Sequence, residues 1–243
     1  MTAPVEFCLR LGDSGLILSQ RLGEWCGHGP VLEEDLALTN VALDLLGQAR
    51  LWLTLAGTRE GKGRDEDALA FLRDAGGFRN LLLVEQPNGD YAHTMTRQFF
   101  FDAWHLPLLE ELARGADAEV AAIAGKAAKE VAYHLRRSRD WVVRLGDGSA
   151  ESHGRMQTAV EALWPYTGEM FQADAVDRAV VDLEGLRPLW REEVLGTLQR
   201  AALVAPAGEW MQQGGKRGVH SEKLGRLLAE MQFLQRAYPG AQW

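Results

Sequence analysis

Between Val31 and Gly57 the chain reads VLEEDLALTNVALDLLGQARLWLTLAG. Leu36, Leu38, Val41, Leu43, Leu45, Leu46, Leu51, Trp52, Leu53 and Leu55 fall on nearly every side of a helical projection. A helix apolar on so many faces is buried on most of them. Pro30 precedes it and Gly57 closes it, so the segment is bounded by residues that start and stop helices.

The same punctuation divides the rest of the chain. Asp13-Ser14 is read as a cap for a first segment that stops at Gly27-His28-Gly29-Pro30. A short helix is expected over 65–74, then an irregular stretch through Gly76-Gly77 and Pro87-Asn88-Gly89. Asp90 opens a long helix to Gly115 and Asp117 another to Gly146, each with an acid at its positive end. Pro107 falls inside the former, where it is expected to kink the helix. Helices are expected over 150–173, with a bend at Trp164-Pro165, over 175–185 and over 187–203. After a Gly214–Gly218 loop, Ser221 is read as the cap of a last helix carrying Leu224, Leu227, Leu228, Met231 and Leu234. No segment alternates with period two, so no strand is expected. Four long helices joined by short turns predict an antiparallel bundle in one domain, residues 1–243.

Composition narrows the function. The chain has 243 residues, a net charge of −8 and 47% hydrophobic residues, with an isoelectric point near 5.3. Such a chain lacks the basic stripe that neutralises phosphates, which argues against nucleic acid as a partner. No apolar run is long enough to cross a membrane, and Met1–Glu6 has no signal-peptide character. The expectation is a cytoplasmic protein whose two cysteines, Cys8 and Cys26, are reduced core thiols.

Polar residues recur at helical spacing within the apolar helices. Asn40, Asp44 and Gln48 share one face, as do Gln98, Asp102 and His105; Glu130 and His134 lie a turn apart, and Gln157, Glu161 and Trp164 repeat the pattern. Ferritin-like di-iron proteins use this layout: two helices each give a Glu, and two others each give Glu-x-x-His. Carboxylate oxygen with imidazole nitrogen suits iron or manganese. Asp102-Ala-Trp-His105 fits the pair with Asp for Glu, and Asp44 and Glu130 fit the lone carboxylates. Glu161-Ala-Leu-Trp164 does not, because Trp stands where the imidazole belongs, and His134 has Val131 three residues before it. Asp102 and His105 are therefore read as a buried ion pair or an internal hydrogen-bond network. No catalytic or metal-binding residue is assigned, and Asp44, Asp102, His105, Glu130, Glu161 and Trp164 are vestigial positions of a di-iron site. His220-Ser221-Glu222 is read as a helix start and Lys216-Arg217 as a solvated turn; no P-loop is present.

Several longer runs are specific. LRLGDSGLILSQRLGEWCGHGP (9–30), DLALTNVALDLLGQAR (35–50), NLLLVEQPNGD (80–90), Asp102–His105, KEVAYHLR (129–136) and the segment from Gly214 together resemble the C-type subunits of the bacterial multicomponent phenylacetyl-CoA epoxidases. The resemblance implies a ferritin-like antiparallel bundle with peripheral helices. It further implies a structural subunit, without cofactor of its own, that pairs with a homologous di-iron catalytic A subunit. A small B subunit, and transiently a reductase carrying flavin and an iron–sulfur cluster, would complete the assembly. Two further expectations are carried forward: a homodimer when the partner is absent, and, as the competing reading, a di-metal oxygenase using the atypical residues above.

Overall fold

The computed structural model describes residues 2–208 and 210–241. Ten α-helices form among them: α1 (Val5–Gly23), α2 (Leu32–Glu60), α3 (Glu66–Phe71), α4 (Tyr91–Ala113), α5 (Ala118–Gly146), α6 (Ala150–Leu163), α7 (Ala175–Arg178), α8 (Leu183–Arg200), α9 (Glu222–Met231) and α10 (Phe233–Ala237). Among the described residues there is no strand. The all-α, ferritin-like class expected from the sequence holds, and its signature is two long helix pairs, α1–α2 and α4–α5. The short connections within each pair make its helices antiparallel neighbours. The residues cluster into two compact units, Pro87–Gln213 and Ala3–Gln86 with the segment from Gly214.

In the unit containing α1 and α2, the two helices cross closely. A Cβ on Gly12 would lie 2.8 Å from Cδ2 of Leu53, so only glycine permits that approach. Asp13 and Ser14 are not a cap. They are buried in the middle of α1, and they hold the irregular stretch that follows α3. The Asp13 carboxylate accepts from the Arg73 guanidinium, with one nitrogen at 3.0 Å, and from the Arg79 amide at 2.8 Å. Ser14 Oγ accepts from the Leu81 amide at 3.2 Å. A second buried carboxylate, Glu85, gathers the other side of the stretch: Asn80 Nδ2 at 3.0 Å, His220 Nδ1 at 2.9 Å and the Ser221 amide at 2.8 Å. Ser221 thus starts α9 through its amide and not its hydroxyl, which makes no capping bond. The Gly214–Gly218 loop is packed rather than solvated, and Lys216 is buried. A Cβ on Gly215 would sit 2.1 Å from the Asn80 carbonyl oxygen.

In the other unit, α4 is buried on all sides through its middle, with Phe99, Phe100 and Phe101 each buried. α5, α6 and α8 pack against it. Asp90, Asp117, Ser149 and Asp182 cap α4, α5, α6 and α8 through side-chain oxygens. The helix expected over 150–173 ends at Leu163. From there, two 3₁₀ turns carry the chain over Trp164–Tyr166 and Gly168–Phe171, because Pro165 has no amide to continue the ladder. The helix expected over 175–185 shortens to α7, since Asp182 restarts the chain as α8. α4 runs on past Pro107 without a break. Of the cysteines, Cys8 is buried as expected and Cys26 is exposed; both are free thiols.

The two glycines of the C-terminal segment separate close approach from simple flexibility. Gly215→Ala is expected to lower the melting temperature, because its Cβ collides with backbone. Gly225→Ala, on the open face of α9 with nothing within 4 Å, should raise stability by about 0.5–1 kcal/mol. Thermal unfolding of the two variants checks both signs.

Candidate functional site

The polar seam of α4 and α5 is the place where a ferritin-like protein would carry metal ligands. Asp102 and His105 share a face of α4, and both are buried. Asp102 does not pair with His105. Its Oδ1 accepts from Gln98 Nε2 at 2.7 Å, and its Oδ2 lies 2.8 Å from Ser138 Oγ on α5. Ser138 Oγ is also 3.3 Å from the Leu135 carbonyl oxygen. Burial pushes the Asp102 carboxyl up to about 8, against the smaller opposing effects of Ser138, Gln98 and Arg137. The group is neutral at pH 7. Its O–H can donate to Ser138 Oγ, which then donates to the Leu135 carbonyl, while Gln98 Oε1 finds no partner among the described residues.

His105 is neutral for a related reason. Burial brings its imidazole down to about 3, and His134 on α5 disfavours a second positive charge beside it. Its ring stacks on Trp104, 6.0 Å between centroids and 19° between planes, and lies 4.8 Å from the Phe101 ring. Its Nδ1 makes no hydrogen bond among the described residues. Of the two arrangements expected from the Asp-x-x-His spacing, an ion pair or an internal hydrogen-bond network, Asp102 forms the network, and His105 stands outside it. Removing charge from the interior avoids the desolvation cost that a buried carboxylate would carry.

The remaining expected positions do not gather around it. Glu130 is half-buried one turn before His134 on α5. Glu161 is exposed on α6 and accepts from Gln157 at 2.9 Å, while Gln157 Oε1 accepts from the Val204 amide at 2.9 Å. Trp164 is buried, 5.8 Å from the Phe100 ring and 5.6 Å from that of Trp190. Phe100 and Asp102, two residues apart on α4, point to opposite sides of it, so Trp164 is not beside Asp102. Trp190 Nε1 donates to the Phe100 carbonyl at 3.0 Å, completing an aromatic cluster with Phe171. Asp44 is half-buried on α2, in the other compact unit.

The residues present do not fit a di-metal centre. Both oxygens of Asp102 are committed to Gln98 and Ser138, and among the described residues no three His, Cys, Asp or Glu side chains form a group able to hold a metal ion. The member that sequence spacing left out is Ser138. It continues the row Glu130, His134, Ser138 at steps of four, so the signal was present, although a serine carries no metal-ligand meaning.

The family model described as "Phenylacetic acid catabolic protein" matches residues 1–243. The chain belongs to that family. The C subunit of the 1,2-phenylacetyl-CoA epoxidase of Escherichia coli (strain K12) is 53% identical over 249 residues, covering 100% of both chains. Among the described residues no helix is long and apolar enough to cross a membrane.

The two buried groups predict a specific pH dependence. Between about 4 and about 8 folded Asp102 holds a proton that the unfolded chain has released, so its contribution to stability falls as pH rises. His105, low at about 3 when folded and near 6.5 when unfolded, contributes the opposite slope below 6.5 and none above. Of these two groups, only Asp102 contributes a slope between pH 6.5 and 8. Asp102→Asn keeps an acceptor for Gln98 and a donor for Ser138, and should flatten that part of the stability profile in urea titrations. Asp102→Ala, which strands both neighbours, should cost about 1–3 kcal/mol.

Proposed function

We propose that this chain is the non-catalytic structural subunit of a phenylacetyl-CoA 1,2-epoxidase, scaffolding a homologous di-iron catalytic subunit in aerobic, cytoplasmic phenylacetate degradation. The observation that carries the reading is the commitment of Asp102: the carboxyl at the metal-ligand position lies 2.7 Å from Gln98 Nε2 and 2.8 Å from Ser138 Oγ. The E. coli relative bears the name of an epoxidase C subunit, which supports the complex and the pathway. On this reading the chain carries no cofactor. Di-iron belongs to the A subunit, flavin and an iron–sulfur cluster to a reductase that docks transiently, and a small B subunit completes the assembly.

A structural subunit acts through its surface, and α2 offers one. Leu32, Leu36, Leu43 and Leu46 are 72%, 55%, 59% and 40% exposed. With Thr39 and Arg50 they follow the alternating four-and-three spacing of a helix-packing seam. A contiguous apolar row of this kind marks an interaction site. Phe99, Phe100 and Phe101 of α4 add nothing to this surface, since all three are buried. The catalytic A subunit is the proposed occupant, through a homologous long helix; a second copy of this chain would take its place when the partner is absent.

The competing reading, an oxygenase with its own atypical metal site, draws on His105, whose neutral ring and unbonded Nδ1 leave a nitrogen lone pair available in one tautomer. Iron analysis separates the two. The chain expressed alone in iron-rich medium should carry no stoichiometric iron and show no phenylacetyl-CoA oxidation; stoichiometric iron held through gel filtration contradicts the structural role. Co-expressed with its A subunit, the chain should elute as one heteromer. Leu36→Glu with Leu43→Glu should abolish co-elution while leaving the circular dichroism spectrum of the isolated chain unchanged.

A further inference from the structure

Exposed arginines in this chain are commonly matched to a carboxylate nearby on the same helix: Arg114 to Glu111 at 2.6 Å, Arg155 to Glu151 at 2.6 Å, Arg226 to Glu222 at 3.3 Å. The outer face of α5 departs from that habit. Tyr133, Arg136, Arg137, Asp140, Trp141 and Arg144 line an open pocket of about 350 Å³. The Arg136 guanidinium lies 5.6 Å over the Tyr133 ring and that of Arg144 lies 5.2 Å over the Trp141 ring. Among the described residues neither forms an ion pair. Arg137 donates to the Tyr91 hydroxyl at 3.1 Å, and the Tyr91 ring stands edge-on to Trp141, 5.4 Å between centroids. The only carboxylate in the lining is Asp140, which is 3.9 Å from Arg139.

Three guanidiniums against one carboxylate make a local positive excess in a chain whose net charge is −8. Two of them lie over aromatic rings, a contact that restrains the side chain and lowers the entropy lost on binding. The planar fork of arginine matches phosphate oxygens in a bidentate manner. Arg136 and Arg144 are eight residues apart, about 12 Å along the helix axis, a spacing for more than one phosphate group. The exposed Tyr133 ring gives a flat ligand something to lie against.

We propose that this face of α5 binds a nucleotide-type ligand, with spaced phosphate groups on the arginines and a flat ring against Tyr133. The subunit role argued above enters only in the choice of coenzyme A as one of the probes; the site itself rests on α5. Calorimetric titration of the isolated chain with inorganic pyrophosphate, ADP and free coenzyme A tests it, since all three carry phosphate and only two carry a ring. The expected result is saturable binding of ADP and coenzyme A, weaker binding of pyrophosphate, and affinity that falls as salt is raised. Arg136→Gln with Arg144→Gln should weaken every ligand by about tenfold or more, the loss of two bidentate contacts. Tyr133→Ala should weaken ADP and coenzyme A while sparing pyrophosphate. All of these are surface substitutions, and an unchanged melting curve confirms that each variant is folded. Absence of saturable binding, equal affinity for pyrophosphate and coenzyme A, or affinity unchanged in the double arginine variant would each overturn the proposal. If the double variant instead loses only its association with the A subunit, and the parent chain binds none of the three ligands, the face is a protein-docking surface and the proposal is likewise overturned. A chain that binds nucleotides yet never assembles with the A subunit would sink the subunit role and leave this site standing.

Discussion

The uncharged bond between α4 and α5, from Asp102 to Gln98 and Ser138, is the constraint on which the rest of this protein's interior depends. α4 is buried through its middle, and an ionised carboxylate at Asp102 would be desolvated there, a cost that the charge of Arg137 offsets only in part. Holding its proton solves that problem, and the hydrogen bonds to Gln98 and Ser138 occupy both of its oxygens. His105, equally buried and equally neutral, lies among the rings of Phe101 and Trp104. The interior that in a di-iron protein surrounds an ion is here a packed helix pair with one polar chain.

On the proposed reading the chain acts by shape. Trp164, standing where the second imidazole would be, begins a 3₁₀ turn and joins Phe100, Phe171 and Trp190 in an aromatic cluster. Glu161, which would accompany it, has turned to the surface, where with Gln157 it borders the loop after α8. The leucine row on α2 is the counterpart outside. It leaves apolar area of Leu32, Leu36, Leu43 and Leu46 exposed to water.

Much of this was legible in the sequence. The long helices and their aspartate caps at Asp90 and Asp117 follow from local patterns, which survive folding because capping and helical spacing are local physics. What the sequence hid depends on contacts between distant segments. Asp13 and Ser14 have the composition of a cap, yet serve as acceptors for Arg73, Arg79 and Leu81 roughly sixty residues on. Glu85 and His220 meet across 135 positions. Asp102 and His105 sit at pairing distance along a helix, but their protonation is set by burial and by Ser138, and neither is visible in a four-residue motif. The leucines of α2 divide into buried and exposed rows only once α1 has taken its side.

The protonation of Asp102 can be observed directly. In the infrared difference spectrum between the wild-type chain and Asp102→Asn at pH 7, the account predicts a carbonyl stretch of a protonated carboxyl, shifted by deuterium exchange and present only in the wild type. A difference spectrum showing only ionised carboxylate bands would mean that Asp102 carries its charge at neutral pH, and the account of a metal site replaced by a neutral bond would fail.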